Sequence, residues 1–383
     1  MEKRIGGLPK HFDWLVVGAG LFGATFAHEM LNAGKKVLVI ERRDKVGGNI
    51  RCEKFDGVLM HCYGSHIFHT SNERVWQFVS SRLPLRPITH TPMARTGDGR
   101  MLSLPFTMRT FNALWPDITT PSEAQAKIEA QTREWRELYK TPENLEQKAL
   151  TLVGRDIFDA LIKGYTEKQW HTPCDQLPPE IITRLPLRFS WDSSYFNDKY
   201  VAIPEDGYNP LIDGLLDGAE IITGVDYLAS KNEFEDLADR TLFTGCVDQY
   251  FNYALGRLGY RSLEFKTKIE DLSDTQGCSV VNYTGTDKPW TRVIEHNQFA
   301  PSRHYEELVK SYEYPADFTD GAEPYYPIIN GENLALYKRY EQLAAAVPNI
   351  CFGGRLGSYR YMDMDDAIDA ALRLADKIIR LGY

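Results

Sequence analysis

The sequence predicts an α/β protein built on a discontinuous Rossmann-like domain, interrupted by a helical insertion and by an antiparallel or mixed sheet. Three observations carry this expectation. Near the N-terminus an apolar run of strand length, residues 14–17, ends at Gly18, and Gly20 and Gly23 follow in the spacing GxGxxG. Near the C-terminus a second glycine turn, Phe352-Gly353-Gly354-Arg355-Leu356-Gly357, precedes an apolar-periodic helix over 367–379. Between them lie proline-punctuated, helical and β-branched stretches that continue neither pattern.

The first unit reads in order. Gly18 permits a tight turn, Gly20 lets the backbone approach a pyrophosphate, and Gly23 allows close helix–strand packing. A helix over 24–31 is stopped by Gly34, and residues 36–40 (Lys-Val-Leu-Val-Ile) form a second buried parallel strand. Phosphates would sit on the helix N-terminus, and Glu41 would accept from ribose hydroxyls. A lone GxGxxG is weak, but strand, turn, helix and acid together predict a dinucleotide site.

The residues after Glu41 select the dinucleotide. Val46-Gly47-Gly48-Asn49 continues the unit with a further glycine turn, as in flavoproteins of the glutathione-reductase and amine-oxidase type. At the other end of the chain Arg355 could neutralise a pyrophosphate, and Asp363 caps the last helix. FAD is long enough to need both ends, so the pair favours FAD over NAD. No second GxGxxG is present for a nicotinamide dinucleotide. Residues 221–225 and 240–244, closed by Gly245, read as edge strands of the FAD domain.

A chain of 383 residues is expected to form two or three domains. Its net charge of −9 argues against a nucleic-acid partner, so an anion site must be built locally from a few arginines. No run approaches the roughly 20 apolar residues needed to cross a bilayer. No export signal precedes the first strand. Six scattered cysteines without a CxxC read as reduced structural thiols, and together these features point to a soluble cytoplasmic protein.

Between residues 84 and 121, Pro84, Pro87, Pro92, Pro105, Pro116 and Pro121 exclude a continuous helix or central strand. Helices are expected over 122–139, opened by Ser122, and over 143–150 and 156–165. The aromatic and β-branched runs of 170–205 and 260–330 suit an antiparallel sheet. The expected division is an FAD domain of 11–80, 205–255 and 340–383, a helical domain of 106–165, and a sheet domain of 81–105, 166–204 and 256–339.

At this point the chain resembles the UDP-galactopyranose mutase family. The resemblance rests on Tyr63-Gly64-Ser65-His66-Ile67-Phe68-His69-Thr70, Lys163-Gly164-Tyr165-Thr166-Glu167-Lys168-Gln169-Trp170, Arg184-Leu185-Pro186, Tyr195-Phe196-Asn197-Asp198, Thr291-Arg292-Val293-Ile294-Glu295-His296, Glu323-Pro324-Tyr325-Tyr326-Pro327 and the block from Gly353 to Tyr361. Ser65 departs from the family's usual Pro. The resemblance implies a flavoenzyme of cell-wall polysaccharide biosynthesis, homodimeric in many bacterial members, that interconverts UDP-galactopyranose and UDP-galactofuranose. It implies reduced FAD, with flavin N5 attacking the anomeric carbon and no net redox, and an external reductant such as NAD(P)H.

The resemblance also implies site residues. Arg184 and Arg292 would flank the substrate diphosphate, a pairing that the planar guanidinium makes bidentate. Tyr165 would stack on uracil, with Thr166 beside it and Trp170 on a mobile loop; for Trp170 ordinary core packing is the competing reading. Tyr195, Tyr326 and Tyr361 would contact phosphates, with Asn282 nearby, whereas Tyr325 would point elsewhere. His66 would face the flavin ring. Its spacing to His69 could suggest a metal, but no third or fourth ligand is in view. The FAD itself would be held by Gly18, Gly20, Phe22, Gly23, Glu41, Arg42, Gly48, Asn49, His66, Val225, Gly354, Arg355, Tyr361, Asp363 and Met364. Three alternatives stay open: a related mutase on UDP-N-acetylgalactosamine or a dTDP-6-deoxyhexose, a flavin amine oxidase-like oxidoreductase, and a flavin-binding sensor.

Overall fold

The computed structural model describes residues 11–382 apart from 56, 185–186 and 301–302, and of 183, 184 and 235 the backbone alone. A parallel five-stranded sheet runs Glu220–Thr223, Val37–Glu41, Phe12–Val17, Ala238–Phe243, Ile350–Phe352 from edge to edge. Its two faces explain the unbroken apolar strands. Trp14 and Val16 pack to one side, against Phe26 and Met30 of helix Leu21–Asn32 and Ile368, Leu372 and Ile378 of helix Met364–Arg380. Leu15 and Val17 pack to the other, with Leu38, Ile40, Ile222, Phe234 and Phe243. The strand expected over 240–244 is therefore no edge: Ala238–Phe243 lies between the first strand and Ile350–Phe352. The segment just before the C-terminal glycine turn supplies the true edge.

A seven-stranded sheet orders Tyr326–Pro327, Tyr260–Glu270, Leu308–Asp317, Arg292–Glu295, Val280–Tyr283, Met93–Arg95 and Met101–Ser103. Its pairings are antiparallel except the parallel match of Val281 with Met93. The register sets Phe265, Glu313, Arg292, Asn282 and Ala94 in one cross-strand row, hence on one face. At the far end of that row, Ala94 and Leu102 enter the core of the helical insertion, with Phe111, Ile128, Leu150, Val153, Phe158 and Leu161.

The insertion's helices differ from expectation at their ends. Pro121–Leu138 is opened by Thr120, not Ser122, in a capping box with Glu123. Leu145–Ile157 runs on into a π-turn, Phe158–Lys163, and then helix Gly164–Trp170. Among the described residues of 170–205 one strand forms, Tyr200–Pro204, which pairs with Phe68–Thr70 and Leu85–Pro87. Of the aromatics between, Phe189 and Phe196 serve as packing groups in loops. No described helix is long and apolar enough to cross a membrane.

Candidate functional site

The glycine turns of both chain ends meet in one cleft. It is lined by Gly18, Gly20, Phe22, Gly23, Glu41, Arg42, Gly48, Asn49, His66, Val225, Gly354, Arg355, Asp363 and Met364, which are all the residues expected at the cofactor except Tyr361. Steric limits explain the glycines. Gly18 has φ +104, a Cβ on Gly23 would collide with the Gly18 carbonyl, and a Cβ on Gly48 would lie 2.8 Å from the Gly20 Cα.

Several other helices begin at a side chain, Asn72, Thr120, Asn144 or Asn330, that accepts from the first turn. Helix Leu21–Asn32 begins at Gly20 with no such cap, so its first N–H groups are left for a ligand in the cleft. Glu41 is buried; its oxygens accept from the N–H groups of Ala19 (2.8 Å) and Arg43 (2.9 Å), and carboxylate lone pairs remain for a ribose. A dinucleotide with a pyrophosphate fits this donor set. Arg42 pairs with Glu323 at 2.8 Å at the rim. Arg355 lines the cleft and is anchored by two of its five N–H donors. Its guanidinium donates to the carbonyls of Tyr325 (3.1 Å) and Met362 (2.8 Å) and lies over the rings of Tyr326 and Tyr361.

Those two stacked tyrosines, 5.9 Å between ring centroids, begin the second part of the site. Arg292, on the sheet row, donates from Nη2 to the Tyr165 hydroxyl and from Nε to Asn282 Oδ1, each at 3.2 Å. Its Nη1 lies 3.5 Å from the buried carboxylate of Glu313. Burial opposes the guanidinium charge, but Glu313 and the tyrosines more than offset it, and Arg292 is held above its ordinary value. Burial, with Glu313 nearby, pushes the Tyr326 phenol up to about 12; burial raises Tyr165 as well, and Tyr361 with Asp363 beside it. At neutral pH these phenols stay protonated beside two guanidinium groups, Arg292 at Tyr165 and Arg355 over Tyr326 and Tyr361.

His66 joins the two parts. Its Nδ1 lies 2.8 Å from the Gly64 carbonyl, which can only accept, so Nδ1 carries the proton and Nε2 is left as an acceptor. Burial, and to a lesser extent Arg355 and Arg292, lowers it to about 4, and it is neutral at pH 7. The loop is held from behind by imidazoles. His61 Nδ1 accepts from the His66 N–H, His296 Nδ1 accepts from the His61 N–H, and His296 Nε2 bonds Ser311 Oγ. His69 instead bonds Asp198 Oδ2 at 2.8 Å and stacks on Phe196. Among the described residues no group of three His, Cys, Asp or Glu could hold a metal.

Tyr195 sits with its ring edge on His90 and donates its N–H to the His90 carbonyl. Thr166 is buried, and Trp170 is half-buried against the helical core, so core packing is part of its role. Arg184 ends the turn Pro179–Arg184, and its side chain lies outside the described residues. Sequence reasoning missed Glu313, His61 and His296. Glu313 and His61 lie outside every block of the family resemblance, His296 closes the Thr291–His296 block without being singled out there, and strand register and the fold bring them to Arg292 and His66.

Two family models match the chain: an NAD(P)-binding Rossmann-like domain at residues 16–81 and UDP-galactopyranose mutase at residues 160–361. A probable UDP-galactopyranose mutase of Klebsiella pneumoniae is 38% identical over 95% of this chain and 94% of its own. The chain belongs to the UDP-galactopyranose mutase family. Another relative is the dTDP-fucopyranose mutase of Escherichia coli, 34% identical over 96% of this chain and 98% of its own. Among solved structures, a reduced UDP-galactopyranose mutase superposes with TM-score 0.75 at 13% identity, covering 97% of this chain and 94% of that one. A putrescine oxidase superposes with TM-score 0.56 at 14% identity, covering 97% and 99%. Both likenesses are of fold.

Proposed function

We propose that the protein is a flavin-dependent mutase that interconverts UDP-galactopyranose and UDP-galactofuranose without net oxidation. The observation that carries this reading is the convergence of Arg292, Tyr165, Tyr326 and Tyr361 beside His66, at the end of a dinucleotide cleft. Guanidinium charge ringed by phenols suits a diphosphate that must leave and return. FAD held by the two glycine turns would, when reduced, supply the nucleophile that the site's own side chains lack. Arg292, together with Arg184, would bind the diphosphate and stabilise the charge that builds on UDP. Tyr165 would carry the uracil, with Thr166 and Asn282 beside it, Tyr195 would add a phosphate contact, and Trp170 would close over the ligand. Neutral His66, presenting Nε2 as an acceptor, would hold an N–H of the reduced flavin ring.

The reading brings further parts: a cofactor, a helical and a sheet domain, a homodimer, and a cytoplasmic enzyme of cell-wall polysaccharide synthesis reduced by NAD(P)H. Six unpaired thiols agree with a reducing compartment. The dTDP-fucopyranose mutase relative supports a second substrate class, a dTDP-6-deoxyhexose, on the same machinery. The test incubates the dithionite-reduced protein with UDP-galactofuranose and, in parallel, dTDP-fucofuranose, and separates the pyranose products by chromatography. UDP-galactopyranose formation supports the first substrate; conversion of the dTDP sugar alone would move the assignment to the second.

A further inference from the structure

Helix Gly164–Trp170 and the hairpin of Val280–Tyr283 and Arg292–Glu295 are far apart in sequence, yet the nucleotide site needs residues of both. Tyr165 comes from the helix, and Asn282 and Arg292 come from the hairpin. What holds one against the other is a set of contacts behind the site. Lys168 Nζ reaches the carbonyls of Tyr283 (2.8 Å), at the end of the first strand, and of Gly285 (2.8 Å) and Lys288 (3.1 Å) in the hairpin's connection. One helical turn earlier, Gly164 packs so closely that a Cβ there would collide with the Thr284 carbonyl oxygen. Thr284 in turn donates from Oγ1 to the Ala160 carbonyl, in the π-turn, at 2.7 Å. An ammonium has three protons, and three carbonyls claim them, so Lys168 has none left for a ligand.

We propose that Lys168 is a positioning residue: it locks the helix that bears Tyr165 to the hairpin that bears Arg292 and Asn282, and so sets how tightly the nucleoside diphosphate is held. The inference rests on the reading of Tyr165 and Arg292 as nucleotide ligands. Burial makes the ammonium costly unless every proton is bonded, so the lock holds only in one arrangement of the two elements. Burial also lowers Lys168 to about 8, with Asp287 opposing that shift. Without the ammonium, three carbonyls lose their donor and the helix is free to shift against the hairpin. The Tyr165–Arg292 contact of 3.2 Å leaves little room for such a shift.

The test uses the flavin-loaded full chain and measures UDP and dTDP affinity by titration calorimetry, with thermal midpoint and bound flavin measured alongside. Lys168→Met should keep its flavin and weaken UDP binding about tenfold, the loss expected when one hydrogen bond to the charged diphosphate is misaligned. Lys168→Arg, which restores charge and donors, should recover part of it. A purely structural lysine would instead lower the thermal midpoint and the binding stoichiometry while leaving Kd unchanged. An unchanged Kd in Lys168→Met would therefore overturn the proposal. If that variant does not fold, Lys168→Gln, which keeps two donors, carries the test: UDP binding weakened by about threefold supports the lock, and an unchanged Kd overturns it. A flavin-loaded wild-type chain that binds neither UDP nor dTDP would overturn the nucleotide-sugar reading and this inference with it, whereas tight wild-type binding left intact in the variants overturns the inference alone.

Discussion

Arg292 and Glu313 face each other across neighbouring strands, and only Arg292 stands out in the sequence. A motif argument treats the arginine as a ligand group whose loss spares folding; the structure adds that its removal strands a buried carboxylate. Arg292→Ala is expected to lose about 100-fold or more in turnover, as removal of a single preorganised donor does. It should also lose about 1–3 kcal/mol of stability, from leaving Glu313 unpaired. The double variant Arg292→Ala/Glu313→Gln should recover the stability and none of the turnover, which denaturant unfolding and product assay separate. Arg184→Ala should likewise lose most turnover. The buried imidazoles make a prediction about pH. Burial lowers His90 and His296 to about 3 and His61 well below its ordinary value. Their folded values lie below the unfolded value of about 6.5, so the unfolded chain takes up protons first as pH falls. Stability is fully present above that pH. Each of the three should remove about 1.4 kcal/mol per pH unit below it. Thermal midpoints measured from pH 7.5 to 5 should fall steeply below 6.5 and level off above; a flat profile would contradict buried neutral imidazoles.

At the scale of elements, the glycine turn that opens helix Leu21–Asn32 and the cap of helix Pro121–Leu138 respond to different tests. Gly48 sits at φ +53 with its backbone against Gly20, so Gly48→Val should give soluble protein that purifies with far less flavin, read from its absorbance. Thr120→Ala removes an N-cap distant from the cleft and should cost about 1 kcal/mol of stability while leaving flavin content and turnover unchanged. The first helix and the two flanking strands are legible in sequence because their apolar period and glycine spacing are local. Helix Gly331–Ala345 is not, because its face is only weakly apolar: Tyr340 is its one buried residue. Residues 170–205 mislead for the opposite reason. Their aromatics mimic strand composition, yet Phe196 is held in a loop between the rings of His69 and His90.

For the molecule as a whole the decisive measurement is stoichiometry. Protein purified with its cofactor should release FAD on denaturation and, once reduced, convert many substrate molecules per reducing equivalent, since no electrons are consumed. One product per equivalent would mark an oxidoreductase on the same fold. Family membership and the dinucleotide unit follow from the sequence alone, because glycine spacing, the acid at Glu41 and the aromatic–arginine blocks are each short-range patterns. The association of Gly18–Gly23 with Gly354 is the work of the parallel sheet, which sets strand Ile350–Phe352 two places from Phe12–Val17. The pairing of Arg292 with Glu313, the imidazole chain behind His66 and the grip of Lys168 on the hairpin turn depend on strand register and on chain crossings between distant segments. No local period encodes such contacts, since they exist only once the sheet has buried both partners on the same face.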